Sequence, residues 1–380
     1  MPHEVDVTIK ALDSLLFRRR ENLNVLVLLN GGGAEALRSA VQNVSQVQVF
    51  ESRENLGVAG GRAFLAAQDV AKKADIIALL DNDLLLTLDY LEPLCELLMQ
   101  DHSIGVLGAS VLNYQYVVCR FDAAERLEKG PLGQSLPRIS NDDLRGYVEQ
   151  HHTEEVFFHL GVDPDWMRAY FPKLSFEEEY ARRCGGNPGQ DVMLSRNTVV
   201  HDKFVKGGPE KIDVSNIAGC TQVFRRDLYD EVGGIRAEYS PYGYEDADFC
   251  IRSLLAGYKN FTLTNVFSLH GTDDRHQQRK TLSGLWPAKR NTARSYAFLV
   301  KHHCPKSRKP FLVKNFFMRA GIDVAAILWR LYHQTAGLII RLAATVVGVI
   351  QAQITLVFDR SPATKDDKAF SRQDSGFGEE

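Results

Sequence analysis

Asp75-Ile76-Ile77-Ala78-Leu79-Leu80-Asp81-Asn82-Asp83 is a short apolar run that ends abruptly in two carboxylates and an amide. Bounded by polar turn residues, it reads as a buried strand. Upstream, Asn24 to Asn30 runs into Gly31-Gly32-Gly33, and Gln46 to Glu51 precedes Asn55-Leu56-Gly57-Val58-Ala59-Gly60-Gly61. Helical patterns near Ala34 to Gln42 and from about Gly60 to Lys73 fill the gaps. Strands alternating with helices imply an α/β fold with a mostly parallel sheet covered on both faces. Ligands of such sheets lie beyond the carboxyl ends of the strands, and all three ends here carry turn or polar chemistry.

Size and composition fit that architecture. The 380 residues are 44% hydrophobic and 24% charged, enough for one large core or two modest ones. A formal net charge of -3, with no basic stripe interleaved with aromatics through the first 300 positions, argues against a nucleic-acid partner. Six cysteines (Cys95, Cys119, Cys184, Cys220, Cys250, Cys304) lack CxxC spacing, which argues against a zinc site or a disulfide framework and points to a reducing cytosol. The opening MPHEVDVTIK is polar, and Arg18-Arg19-Arg20 break the first apolar cluster, so no secretion signal is expected there.

Residues 1–112 are thus read as the first half of the sheet domain. From Asn113 to Lys211 the chain turns aromatic, charged and punctuated by Pro and Gly, with His151, His152, His159, Trp166 and Glu177-Glu178-Glu179. A structureless loop of that length is improbable inside a compact domain, so 113–212 is expected to be an insertion with some helices. The second half, 213–300, resumes with a strand from Asn216 to Phe224, a helix opened by Glu245 and closed by Gly257, and a strand from Phe261 to Leu269. Residues 301–358 open with Lys301, Lys306, Arg308, Lys309, Lys314 and Arg319, then become apolar. Gly337 to Phe358 is long enough to span a bilayer, but Arg341 interrupts it at an insertion cost of about 2.5 to 3.5 kcal/mol, and Gln351 and Gln353 interrupt it further. In-plane amphipathic helices are the expectation, drawn to anionic lipid by the basic flank at about 1 kcal/mol per residue. A C-terminal helical hairpin packed on the protein or on another subunit is the alternative. The polar tail, 359–380, is expected to be disordered.

Three sets of residues carry chemistry. Asp81 and Asp83 are expected to point to the same side of an extended turn, where they can share one divalent cation; Mg2+ or Mn2+ takes one or two carboxylates at about 2.0 to 2.1 Å together with phosphate oxygens. An Asx turn or helix cap is the plainer use of such a motif. The glycine run Asn55 to Gly61 would let backbone amides approach a nucleotide with Arg62 adding a charge contact, unless it serves only tight turns and close packing. Tyr244-Glu245-Asp246-Ala247-Asp248 crowds three carboxylates into one helical turn, more than the helix dipole needs at about 0.3 to 1 kcal/mol each. His270, ending a strand, is either a core histidine or a neutral imidazole ligand.

Taken in order, Asn55-Leu56-Gly57 with Ala59-Gly60-Gly61, Asp81-Asn82-Asp83, Ala218-Gly219-Cys220, Val232-Gly233-Gly234-Ile235, Tyr242-Gly243-Tyr244-Glu245-Asp246-Ala247-Asp248 with Arg252, and His270 resemble the family 2 glycosyltransferases of the GT-A fold. The resemblance covers roughly Val7 to Lys301 outside the insertion and extends to bacterial rhamnosyl- and galactofuranosyl-type transferases. It implies an inverting, hexosyltransferase-like enzyme that moves a sugar from a nucleoside-diphosphate sugar to a hydroxyl of a glycan or lipid-linked acceptor, in the cytoplasm or at the inner face of the membrane. It assigns Asp81, Asp83 and His270 to a divalent metal, Mn2+ or Mg2+, on the donor diphosphate. Asp246 becomes the general base with Glu245 beside it, and Asn30, Asn55, Gly57, Gly60, Gly61, Arg62 and Asp81 become donor contacts. Members of the family begin with a strand ending in a Thr-Tyr-Asn-like nucleotide contact; here the helix Val7 to Phe17 comes first, so that strand is expected to be missing or to lie upstream. Where the family commonly has an acidic residue before Asn30, this chain has Leu29. Those two departures motivate an alternative, a non-catalytic sugar-nucleotide or glycan-binding subunit. A nucleotidyltransferase is a third reading, against which Glu245-Asp246 and His270 speak.

Overall fold

The computed structural model describes residues 2–18, 20–32, 35–114, 117, 127–150, 157–159, 210–214 and 216–271, with further helical residues between 290 and 303 and between 342 and 350. The chain enters through α1 (Pro2–Leu16), then β1 (Val25–Asn30), α2 (Glu35–Val41), β2 (Val47–Ser52), α3 (Gly57–Ala66), α4 (Asp69–Lys72) and β3 (Ile76–Leu80). The single helix expected from Gly60 to Lys73 is two. Gln68 is extended between them, and the Arg226 guanidinium takes the Ala66 carbonyl at 2.9 Å, ending α3 there. Next come β4 (Leu84–Leu86), α5 (Leu91–Gln100), β5 (Ile104–Asn113), the hairpin β6 (Leu127–Lys129) and β7 (Ser135–Pro137), α6 (Asn141–Gln150), β8 (Phe157–His159) and β9 (Lys211–Asp213). The last elements of the sheet domain are β10 (Thr221–Arg225), α7 (Arg226–Glu231), a 3-10 turn (Ala237–Tyr239), α8 (Glu245–Leu255) and β11 (Lys259–His270).

The fold is α/β, with a central sheet between helices, but the sheet is mixed rather than mostly parallel. β1 and β2 pair in parallel as expected, and so do β5 and β11 at the centre of the larger sheet. The order there is β3-β10-β5-β11-β4, and β10 runs antiparallel to both β3 and β5, as β4 and β9 do to β11. Local alternation of strand and helix constrains only successive strands; β10 returns after a long excursion and is free to enter reversed. Ile104 to Leu112 are all buried, as a strand covered on both faces requires. One face packs α1, α2 and α5 through Leu12, Leu16, Val41 and Leu94; the other packs α6, α7 and α8 through Leu144, Leu228, Phe249 and Ile251.

Part of the stretch expected as an insertion belongs to that core. Leu144 and Val148 of α6 are fully buried with Phe224 and Phe249, and Asn141 Oδ1 accepts from the Thr87 hydroxyl at 2.8 Å and the Phe267 amide at 2.9 Å. Residues 160–209 lie outside the described residues, as do 304–341 and the tail from 351. The described part of the C-terminal segment has helical Leu342, Val346 and Ile350 exposed at four-residue spacing. Among the described residues no helix is long and apolar enough to cross a membrane.

The two halves meet where α3 begins. Gly57 adopts φ +70°, a conformation that favours glycine, and a Cβ there would lie 2.5 Å from Pro241 Cα. The Val58 amide donates to the Pro241 carbonyl at 2.9 Å; the Ser240 hydroxyl takes the Gly60 amide at 2.8 Å and donates to the Leu56 carbonyl at 2.6 Å. Gly57→Ala is expected to cost about 2–4 kcal/mol, combining overpacking with the left-handed backbone, seen as a lower denaturant midpoint at unchanged m-value.

Candidate functional site

Two antiparallel registers assemble the acidic cluster. Thr221, the first residue of β10, sits opposite Leu80, so Cys220 just before the strand lies beside Asp81; His270 sits opposite Leu84, so its ring comes to Asp83. His270 Nε2 lies 3.4 Å from Asp83 Oδ1 and 4.0 Å from Asp81 Oδ2. Ligand atoms of Asp81, Cys220 and His270 all fall within 4.8 Å of one another. Carboxylate, imidazole and thiol converging at that spacing fit a divalent cation. Asp83 and His270 are buried, whereas the Asp81 side chain keeps 40% of its surface open. Burial pushes the Cys220 thiol well up, with the Asp81 charge adding and Arg62 opposing. The three expected metal residues are thus brought together, and the Cys220 thiol lies with two of them although the cysteines lack CxxC spacing. A sheet edge gathers ligands from distant strands, so local spacing carries no signal of it.

Arg62 ties this cluster to the acidic helix. From α3 its guanidinium gives Nη2 to Asp81 Oδ1 at 2.8 Å and Nη1 to Glu245 Oε1 at 3.0 Å, with only 11% of the side chain exposed. Gly219 makes the room: a Cβ there would lie 2.2 Å from Arg62 Nη1. The Gly219 amide donates to Asp246 Oδ2 at 3.1 Å and the Ala247 amide to Asp246 Oδ1 at 2.7 Å, which fixes that carboxylate at the helix start. Burial, then the neighbouring Asp246 charge, pushes Glu245 up to about 7 against the pull of Arg62. Burial also raises Asp246, opposed by its amide bonds and Arg62.

The glycine run is used differently from the expectation. Leu56 and Gly57 amides donate to Asn30 Oδ1 at 2.7 Å and Asn55 Oδ1 at 2.9 Å, and those of Val58 and Gly60 go to Pro241 and Ser240. These four donors are spent within the protein, so they do not face a phosphate. Asn30 also donates to the Gly57 carbonyl at 3.0 Å, and a Cβ at Gly61 would meet Leu28 at 3.2 Å, the signature of close packing. Leu29 is simply core.

Family models divide the chain along the same line. Residues 3–121 match the model described as glycosyl transferase family 2. Residues 207–274 match the model described as the N-terminal domain of galactosyltransferase. Neither match singles out rhamnosyl or galactofuranosyl transfer. No curated protein matches the chain by sequence. A crystal structure of GalNAc-T7 with UDP, GalNAc and Mn2+ is similar over 82% of this chain at 14% identity, with a TM-score of 0.49; the chain spans 46% of that protein's length.

Within the galactosyltransferase-like segment, Asp248 does more than start a helix. Fully buried, it accepts from Arg252 at 2.7 and 2.9 Å, Arg236 at 3.1 Å, the Tyr239 hydroxyl at 3.1 Å and His303 Nε2 at 2.7 Å. Arg252 continues to the Val232 and Gly234 carbonyls, which accounts for the glycine pair beside them. Neither His303 nor Arg236 was marked by any local pattern. These bonds hold the Asp248 carboxyl well below the usual carboxylate range despite burial. Its contribution to stability is therefore complete above the ordinary carboxylate pKa and is lost as pH falls through the depressed folded value. Asp248→Ala strands Arg236 and Arg252 without their acceptor and is expected to cost about 3–5 kcal/mol in denaturant unfolding at pH 7.

Proposed function

We propose that this protein is a metal-dependent inverting glycosyltransferase that moves a sugar from a nucleoside-diphosphate sugar to a hydroxyl of a glycan or lipid-linked acceptor. The observation that carries this reading is the Arg62 bridge, which sets the Asp81 cluster and the Glu245-Asp246 pair on two sides of one guanidinium. Family 2 and galactosyltransferase-type matches on the two halves support it.

Asp81, Asp83 and His270 would hold a divalent cation, which neutralises charge on the departing nucleoside diphosphate. On the other side, Asp246 takes the proton of the acceptor hydroxyl as that oxygen bonds to the anomeric carbon and the bond to the diphosphate oxygen breaks. Attack opposite the leaving group inverts the configuration. Two adjacent carboxylates resist double ionisation, and Arg62 offsets that repulsion from the donor side. Incubation with Mn2+ and a panel of nucleotide sugars should release nucleoside diphosphate. Asp246→Asn should abolish transfer and keep donor binding, whereas transfer by this variant would remove Asp246 as the base. Because Glu245 stays protonated up to about 7, the rate should rise with pH through that value. Glu245→Gln removes the group that titrates there and should abolish this rise.

We place the acceptor step at the cytosolic membrane face, supported by the exposed Leu342, Val346 and Ile350 stripe and the basic sequence before it. The full chain should sediment with anionic liposomes. A chain ending after His303, which retains the Asp248 contact, should stay in the supernatant; co-sedimentation of that truncated chain would refute the C-terminal attachment.

A further inference from the structure

We propose that Cys220 is a thiolate ligand of the metal site, which makes the site favour borderline and thiophilic divalent ions over Mg2+. The inference rests on the metal-dependent reading above and adds a donor to it. Its basis is the β3·β10 register, which places Cys220 just before β10 and beside Asp81, and the convergence of its sulfur with Asp81 and His270 ligand atoms within 4.8 Å. A merely packed cysteine needs only apolar neighbours. This one is buried at 4% exposure with an imidazole and a carboxylate at ligand spacing and is a free cysteine.

The donor set has a chemical consequence. Mg2+ asks for oxygen ligands in near-ideal octahedral geometry and sheds water reluctantly. Replacing one of those oxygens by sulfur, beside an imidazole nitrogen, penalises Mg2+ and favours Co2+, Zn2+ or Cd2+, the last of these most strongly. Binding exchanges the thiol proton for the metal: Cys–SH and M2+ give Cys–S–M+ and one proton released to solvent. Neither oxidant nor reductant is required. Asp83, 3.4 Å from His270 Nε2, stands ready as a further oxygen donor.

The test uses the full chain with Co2+ as probe. Co2+ should give a sulfur-to-cobalt charge-transfer band in the near ultraviolet. That band should vanish in Cys220→Ser and Cys220→Ala and survive in Cys95→Ser. Cd2+ affinity by competition calorimetry should fall at least about tenfold in Cys220→Ser, and Mn2+ affinity by less, with the far-ultraviolet circular dichroism unchanged. A Co2+ complex lost in Asp81→Asn but lacking the sulfur band, with equal Cd2+ affinity in wild type and Cys220→Ser, would overturn the thiolate ligand and leave the metal site standing. Failure of the wild-type chain to bind Co2+, Mn2+ or Cd2+ at all would overturn the metal-dependent reading together with the ligand.

Discussion

A single buried guanidinium holds the site together. Arg62 rises from the helix that contains the glycines Gly57, Gly60 and Gly61 and reaches two carboxylates that are 164 residues apart, Asp81 and Glu245. An arginine this enclosed is stable only while both acids accept from its planar fork, and the buried Glu245 tolerates its burial only while the guanidinium is present. Gly219 is part of the same constraint, since a side chain there would occupy the guanidinium's place, and its amide orients Asp246. The Asp81 cluster and the Glu245-Asp246 pair therefore share one rigid element, and a shift of α3 would disturb both.

That rigidity is built outward from contacts that have no catalytic chemistry. α3 is pinned at its start by Ser240 and Pro241, and Ser240 follows the 3-10 turn whose Tyr239 hydroxyl donates to Asp248. Asp248 in turn gathers Arg236, Arg252 and His303, so residues near 303 reach back to the helix that carries Glu245 and Asp246. The three acids of that helical turn divide by surroundings: Asp248 is fully paired and strongly acidic, while Glu245 and Asp246 are desolvated beside each other and less acidic than usual. Two kinds of environment within one turn divide a run of like charges into one anchored carboxylate and a pair held less acidic than usual.

The legible parts of the chain were those written in local pattern. β1, β2, β3 and the strand ending at His270 follow from apolar runs closed by polar turns, and α8 from its acidic start and Gly257. Asp81, Asp83, His270, Glu245 and Asp246 stand out because carboxylates at strand ends and helix starts have few structural uses in such numbers. The glycine run was legible as important and misleading as to use: its amides close the joint with Ser240 and Pro241, which no nearby residue announces. Cys220 was invisible for a similar reason, since its partners come from strands far away in the chain.

The sequence by itself determined an α/β domain and the elements that carry the acids, because periodicity and turn chemistry act over a few residues, and its ordered motifs carry the family 2 glycosyltransferase resemblance. Only the tertiary structure decided that β10 and β4 enter antiparallel, since strand direction across a sheet is settled by long-range pairing. Those two registers alone put Cys220 against Asp81 and His270 against Asp83. They also leave Arg62 facing both halves, so the chemistry of the site is a property of register rather than of any one motif.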